Sequence, residues 1–402
     1  MFLLTQHSTL LLLITSLCIA TSGYAQTVTS IDQLGRDQAR VITTAVPFLT
    51  ISPDARSGAM GDVGAAISPD ANAMHWNAAK LAFSEQSMGF ALSYTPWLRK
   101  LINDMSISYL TGYKKLSKQE AIAASLTYFN LGNIEFTDNN GAKIQDFRPR
   151  EYSAGITYSR KLSDRFSIAP TIKYIYSNLS GNLFVGNNTQ TRPGHSAAVD
   201  LGTYYVKDIT LQGRPSKLAL AAVISNFGGK ISYTTNDQRD FIPTNLRLGS
   251  ALTYEIDPFN KVTFAVDANK LMVPSPPLYS PTNRDSIVRG KNPNRSLFSG
   301  VFGSFADAPY GLSEELKEVM IGSAVEYWYN NLFAIRGGYF YENKLKGNRK
   351  YFTLGLGIRY NMFGLDFAYL IAGRKNNPLA ETLRFTLHFD FEAKKKEESI
   401  TE

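Results

Sequence analysis

The chain has 402 residues, of which 19% are charged and 12% aromatic, the aromatics dominated by 22 Tyr and 24 Phe. So few charges are unusual for a soluble chain of this length, whereas an excess of tyrosine and phenylalanine suits a protein with long interfacial belts. The net charge of +8 would suit nucleic acid only with a basic face beside a stacking module; the basic residues are dispersed, so no nucleic-acid partner is expected.

From the N-terminus, residues 10–20 form an apolar core, and Gly23-Tyr24-Ala25 place small residues where a signal peptidase reads. Residues 1–25 are therefore expected to be a signal peptide, cleaved before Gln26, although its first residues lack Lys and Arg. Cys18 is the only cysteine, and the bulky Leu17 before it argues against lipidation. The mature chain then has no thiol and no disulfide. No later stretch of about 18 apolar residues offers a transmembrane helix. An exported chain of this kind is either soluble or a closed barrel, since only helices and closed barrels satisfy every backbone group in lipid.

Residues 26–84 are rich in Ala, Gly and Asp and too small-sided for lipid-facing strands. They are expected to form an N-terminal periplasmic segment and plug. From about Ser87, period-two alternation takes over in segments of about ten residues. The clearest is 382–391, where Leu383, Phe385, Leu387, Phe389 and Phe391 share one face and Thr382, Arg384, Thr386, His388 and Asp390 the other. The whole pattern predicts an all-β fold, a transmembrane antiparallel β-barrel of about fourteen strands over 85–391. Expected strand centres are Phe90, Ile107, Leu126, Ile156, Ile172, Val199, Leu220, Leu248, Phe264, Val325, Ile335, Leu356, Phe367 and Phe385. Pro170 falls inside a strand, where its missing N–H predicts a bulge or kink.

Every second connection is short: 161–164, 257–260, Asn330-Asn331 and 361–363. Those between are longer and polar, including 131–148, 179–194, 227–243 and an outer loop at 273–318. Segregated loops are expected when one rim faces the periplasm and the other faces outside. The tail 392–402, with Lys394, Lys395 and Lys396, reads as a solvated periplasmic terminus. Both termini are thus expected on the periplasmic side.

By parity, the inner face carries Lys173, Arg247, Arg336, Arg359 and Arg384 against Asp200, Asp267, Glu326, Asp366 and Asp390. An ion-selective pore usually shows rings of one sign; a balanced set predicts internal ion pairs in a filled lumen. Inward glycines at 155, 202, 249, 355 and 357 leave room for another backbone to approach.

The segment proposed to fill that room carries a signature. Arg56-Ser57-Gly58-Ala59-Met60-Gly61-Asp62-Val63-Gly64-Ala65-Ala66 leads into Asp70-Ala71-Asn72-Ala73-Met74-His75-Trp76-Asn77-Ala78-Ala79-Lys80-Leu81. This resembles the FadL-type outer-membrane family, with Ala78 where that family usually has Pro, a departure that bears on the local turn. Within that superfamily, from about Ala45 to Phe391, including the 45–51 lead-in, the chain is similar to the PorV family of the type IX secretion system of Bacteroidota. The resemblance implies a FadL-like barrel whose lumenal signature is Arg56, Met60, Gly61, Asp62, Asn72, Trp76 and Asn77. It also implies a role in protein transport. Such a protein receives exported cargo by its C-terminal signal domain from the large translocon barrel and passes it to a surface sortase subunit. Two alternatives stay open: a FadL-like transporter of hydrophobic small molecules, and a lipid A-modifying hydrolase.

Catalytic chemistry is sparse. Mature histidines are His75, His195 and His388, in separate regions, and no zinc-protease or nucleophile-elbow motif occurs. His388, beside Asp390 on one strand face, is the best catalytic candidate, but a lumenal His among polar neighbours is more often a hydrogen-bonded filler. No enzyme, cofactor or metal site is expected. Basic residues Arg99, Lys100, Arg148, Arg150, Arg284, Arg289, Lys291 and Arg295 lie in or beside expected outer loops, which suits outer-membrane lipid and lipopolysaccharide. A loop longer than about 15 residues is usually functional or disordered. In 273–318, Pro274, Pro276, Pro277, Pro281 and Pro293 are expected to keep the chain extended. Leu297, Phe298, Val301, Phe302, Phe305 and Tyr310 then form either a partner-contact surface or a lid over the barrel mouth.

Overall fold

The computed structural model describes residues 40–392, apart from 100, 101, 103, 138–139, 182–183, 186–188, 235–238, 281, 284–285, 374–378 and 380. The expected signal peptide, the stretch 26–39 and the tail beyond 392 lie outside the described residues. The alternating segments form β1 (Met88–Pro96), β2 (Ser106–Lys115), β3 (Glu120–Asn130), β4 (Arg150–Ser163), β5 (Phe166–Asn178), β6 (Gly194–Leu211) and β7 (Arg214–Gly228). They continue as β8 (Asn245–Glu255), β9 (Asn260–Leu271), β10 (Met320–Tyr329), β11 (Phe333–Tyr341), β12 (Lys350–Tyr360), β13 (Phe363–Ala372) and β14 (Leu383–Phe391). Each expected strand centre falls in a different one of these strands. Neighbours pair antiparallel in chain order, and β1 pairs with β14 from Met88↔Phe391 to Tyr94↔Phe385. The wall is closed and no edge is left unpaired.

The connections 116–119, 164–165, 212–213, 256–259, 330–332 and 361–362 are short, and those between them are long, up to 272–319. Two-residue hairpins need left-handed backbone, and Gln212 (φ 50) with Gly213 (φ 77) adopts it. That turn was not among those expected because glutamine seldom marks one. One turn lies later than expected: β4 runs through Ser163, and the chain reverses at 164–165. Both β1 and β14 meet the short-turn rim at their outer ends, Met88 and Phe391.

Burial follows strand parity. On β14, Phe385 and Leu387 are exposed while Arg384, Thr386 and His388 are buried. Ile156 on β4 and Ile172 on β5 are more than 60% exposed. Apolar outside and polar inside is the reverse of a soluble protein, and it identifies the outer surface as lipid-facing. Among the described residues no helix is long and apolar enough to cross a membrane. Pro170 makes neither the expected bulge nor a shift in register. The β4–β5 ladder runs to Thr157↔Thr171, skips the pairs at Pro170, and resumes at Arg160↔Ile168 with the same register. The Pro170 carbonyl accepts instead from the Thr157 hydroxyl at 2.8 Å.

Candidate functional site

The buried face of the wall is bonded to the segment that precedes β1. Short helical turns at Ala55–Gly58, Ala73–Trp76 and Ala78–Phe83 shape that segment. The first is capped by Asp54, whose carboxylate accepts from the Ser57 N–H at 2.8 Å and from the Trp76 indole at 2.6 Å. Ala78 does not disturb its turn. The Asn77 side chain accepts from the Ala79 N–H at 3.1 Å, doing the capping that starts Ala78–Phe83. Alanine and glycine dominate because backbone must approach wall closely. Ala59 meets the Cβ position of Gly355, and the Met60–Gly61 backbone fills that of Gly338. Of the other expected inward glycines, Gly202 faces Asn77 and Gly249 faces Ala65, while Gly155 lies against Lys173 and Met74. Gly357 differs: Arg336 and Asp366 side chains occupy its space.

Bonds from the segment reach strands all round the ring. The Ala55 N–H donates to Thr386 on β14 and Gly61 N–H to Thr353 on β12, both at 2.8 Å. Gly64 and Ala65 N–H groups donate to Asp267 on β9. Asn77 donates to the Thr203 carbonyl on β6, Ser159 on β4 and Ser167 on β5 donate to the Ala79 carbonyl, and Thr111 on β2 donates to Ala71. Asp54 and these hydroxyls, Thr386 apart, were not singled out in the sequence, and Asp70 and Lys80 were read only as part of the signature. The Asp54-x-x-Ser57 cap was readable there; single hydroxyls on strands carry no such signal.

Of the expected inner charges all but Asp390 are paired; Asp390 is only partly buried at the end of β14 and forms no ion pair among the described residues. Lys173 bonds Asp200 at 2.5 Å, Arg247 bonds Asp267 at 3.2 Å, and Arg336 joins Glu326 (2.7 Å) to Asp366 (2.8 Å). Arg359 also holds Asp366, at 2.7 Å, and Arg384 approaches Asp62 at 3.9 Å. Arg56 joins this network from the segment, donating to both oxygens of Glu326 at 2.8 and 2.9 Å and to Asp70 at 2.9 Å. His388 is bonded to Asp366 at 2.7 Å rather than to the neighbouring Asp390. It is one member of an ion cluster, with Arg336 and Arg359 on the same carboxylate. Of the remaining signature residues, Asp62 accepts from the Tyr351 hydroxyl at 2.5 Å, Trp76 lies under the Arg247 guanidinium, and Met60 and Asn72 are buried.

The segment runs the length of the wall. At the long-loop rim, the Arg40 N–H donates to the Leu345 carbonyl and the Ala45 N–H to that of Phe241, so the described part of the segment begins at the rim opposite the end of β14 and not beside it as expected. At the short-turn rim, Lys115 donates to the Ser84 carbonyl at 2.8 Å. Long loops and segment meet in a charge cluster. Glu314 accepts from Arg40 (2.9 Å) and Lys346 (2.7 Å), Glu315 from Lys270 (2.8 Å), and Glu318 from Lys270, Lys346 and Ser275. Burial pushes the Glu314 carboxyl up, but the bonds from Lys346 and Arg40 outweigh it and hold it below the usual carboxylate range. Glu315 is also held low: burial raises it, and Lys270 together with the Ala308 and Asp307 N–H groups more than reverses the effect.

The loop 272–319 is less extended than its prolines suggested. Between Pro293 and Pro309 the chain is free to coil, and a helix forms at Leu297–Gly303; a second, Leu312–Glu315, follows Pro309. Phe298 and Phe302 stack on each other and pack edge-on and tilted against Phe227 of β7. Phe305 lies near the Lys270 ammonium, and Tyr310 between the guanidinium groups of Arg40 and Arg289. Leu297 is half-buried and Val301 fully buried. Among the described residues no cluster of His, Cys, Asp and Glu has the arrangement of a metal site.

A family model described as "Type IX secretion system protein PorV" matches residues 34–278. No curated protein matches the chain. Similar solved structures include the toluene transporter TodX of Pseudomonas putida, at 13% identity over 85% of this chain and 98% of that one, with a TM-score of 0.48. The toluene transporter TbuX of Ralstonia pickettii gives 12% identity over 86% and 99%, with a TM-score of 0.47. A FadL homologue of Pseudomonas aeruginosa gives 11% over 88% and 100%, with a TM-score of 0.43.

Proposed function

The chain belongs to the PorV family of type IX secretion system proteins, and on that footing we propose that it is a non-conducting outer-membrane subunit that handles secreted proteins at its rim. Exported cargo is received from the large translocon barrel by its C-terminal signal domain and passed to a surface sortase subunit. The long loops face outside, towards lipopolysaccharide, and the short turns and the end of β14 face the periplasm. Loop 272–319, with Phe305 and Tyr310 exposed beside basic side chains, supplies part of the partner-contact surface.

The observation that carries this reading is the inner face. Its expected cations each pair with an acid, and the segment 45–84 bonds to strands around the ring, acting as a plug. The cavity left beside His75, Trp76 and Arg247 is about 70 Å³. Ligand pockets usually measure about 300–1,000 Å³, so this bore suits neither an export channel nor hydrocarbon passage. A larger cleft at the long-loop rim, about 430 Å³, is lined by Val41, Ile42, Pro47, Leu271 and Met320 together with Glu318, Glu342, Lys346 and Arg349. The transporter reading stands second because this cleft lies at the rim while the cavity inside the wall is small. The hydrolase reading is third, since His388 is committed to the Asp366 cluster.

Affinity purification from solubilised outer membranes tests the proposal. Recovery of a much larger barrel or of secreted cargo is expected, and deletion of the gene should strand cargo in the periplasm. Recovery of the protein with lipid alone and with secretion intact in the deletion strain would refute it.

A further inference from the structure

The exposed aromatic pair on the long loop lies on the membrane side of the rim. Phe227 on β7 pairs with Val199 on β6, Val199 with Ile172 on β5, and Ile172 with Ile156 on β4. Directly paired residues point to the same side of a sheet. Phe227 therefore belongs to the outward apolar row of Ile156, Ile172 and Val199, all exposed on the lipid-facing wall. Phe298 and Phe302 pack against Phe227, with ring centroids 5.4 and 6.4 Å away, yet remain 64% and 59% exposed.

Helix Leu297–Gly303 is held in this place from its other side. Strand β8 begins at Asn245, opposite Ser225, so the end of β7 at Phe227 and Gly228 projects beyond it. The helix packs into the vacated space. Gly300 is buried against the Phe241 ring and Pro274, and Val301 is fully covered. Small residues thus face the protein and large aromatic ones face away, the reverse of a helix on a soluble surface. The Lys230 ammonium sits 4.2 Å above the Phe241 ring, which sets a cation beside the same helix.

We infer that helix Leu297–Gly303 is a membrane-interface anchor, with Phe298 and Phe302 in the boundary between acyl chains and headgroups and Lys230 beside the lipid phosphates. Aromatic rings at this level are what membrane barrels and spans use to fix their depth. The occupant is lipid because the ridge continues an outward row that already faces acyl chains. The anchor also places the remainder of the loop: with one end held in the interface, Tyr310 and the charge cluster stay over the rim. The inference rests on the membrane barrel and not on the cargo-handling reading, so the two fail separately.

Site-directed spin labelling tests it. Cys18 is the only cysteine, so Phe298→Cys and Phe302→Cys in a Cys18→Ser background each carry one label. Lys291→Cys, on an exposed part of the same loop, is the aqueous control. The purified, heat-modifiable protein is reconstituted in phosphatidylethanolamine–phosphatidylglycerol vesicles without partners, and collisions with oxygen and a nickel chelate are compared. Labels at 298 and 302 should show an oxygen-to-nickel ratio several-fold above that at 291. Equal nickel access at all three positions overturns the inference. Protection at 298 and 302 that appears only when outer-membrane proteins are added also overturns it, because the occupant is then a protein.

Discussion

Arg56 illustrates how single residues fasten the segment to the wall. Its guanidinium is 4% exposed and grips both oxygens of Glu326, a residue 270 positions away. Breaking a buried pair by removing one partner is costly because the other charge stays behind. Glu326 retains Arg336, so Arg56→Met should destabilise the protein by about 3 kcal/mol, at the low end of the usual range for such losses. The urea midpoint of folding in micelles reads the change, and adding Glu326→Gln should recover part of it. An unchanged midpoint for Arg56→Met would remove the pair from the account. Gly338 offers a steric counterpart. A side chain there collides with the Met60–Gly61 backbone. Gly338→Val should therefore speed protease cleavage near residues 58–64 while the barrel stays heat-modifiable. Strand parity made Arg336, Asp366 and the inner glycines legible in the sequence. It could not name Arg56 as the partner of Glu326, because no periodicity links an irregular segment to a distant strand.

Elements were easier to read than their connections. Alternation located every barrel strand because one face must satisfy lipid and the other polar neighbours. Loops answer to no such rule. The connections 342–349 and 373–382 were not marked out, and helix Leu297–Gly303 within 272–319 forms in a proline-free stretch that packs against Phe241 and Pro274. The same loop carries a pH dependence. Glu314 and Glu315 titrate below their ordinary range in the folded chain. Their contribution is then fully present above the unfolded carboxylate value of about 4.3 and is lost as pH falls through the lower folded values. A spin label at Leu312→Cys, an exposed site two residues before Glu314, should show restricted motion at neutral pH. It should become mobile, reversibly, only under acid conditions below that value. A line shape unchanged down to pH values that protonate both groups would show that the cluster does not hold the loop.

At the scale of the whole molecule, a closed fourteen-stranded wall and a segment running from rim to rim leave little open bore. Apolar side chains outside and a paired charge lattice inside assign the two faces to lipid and to the proposed plug. Family membership supplies what no charge or alternation records, namely a place in protein secretion. Under the proposed function, cargo would pass over the rim by contact with partners and not through the barrel. Planar-bilayer recording on the purified intact protein tests this most directly. The account predicts no steady ion conductance from the intact chain and a stable conducting state once residues 45–83 are removed. A large, steady channel from the intact protein would contradict it.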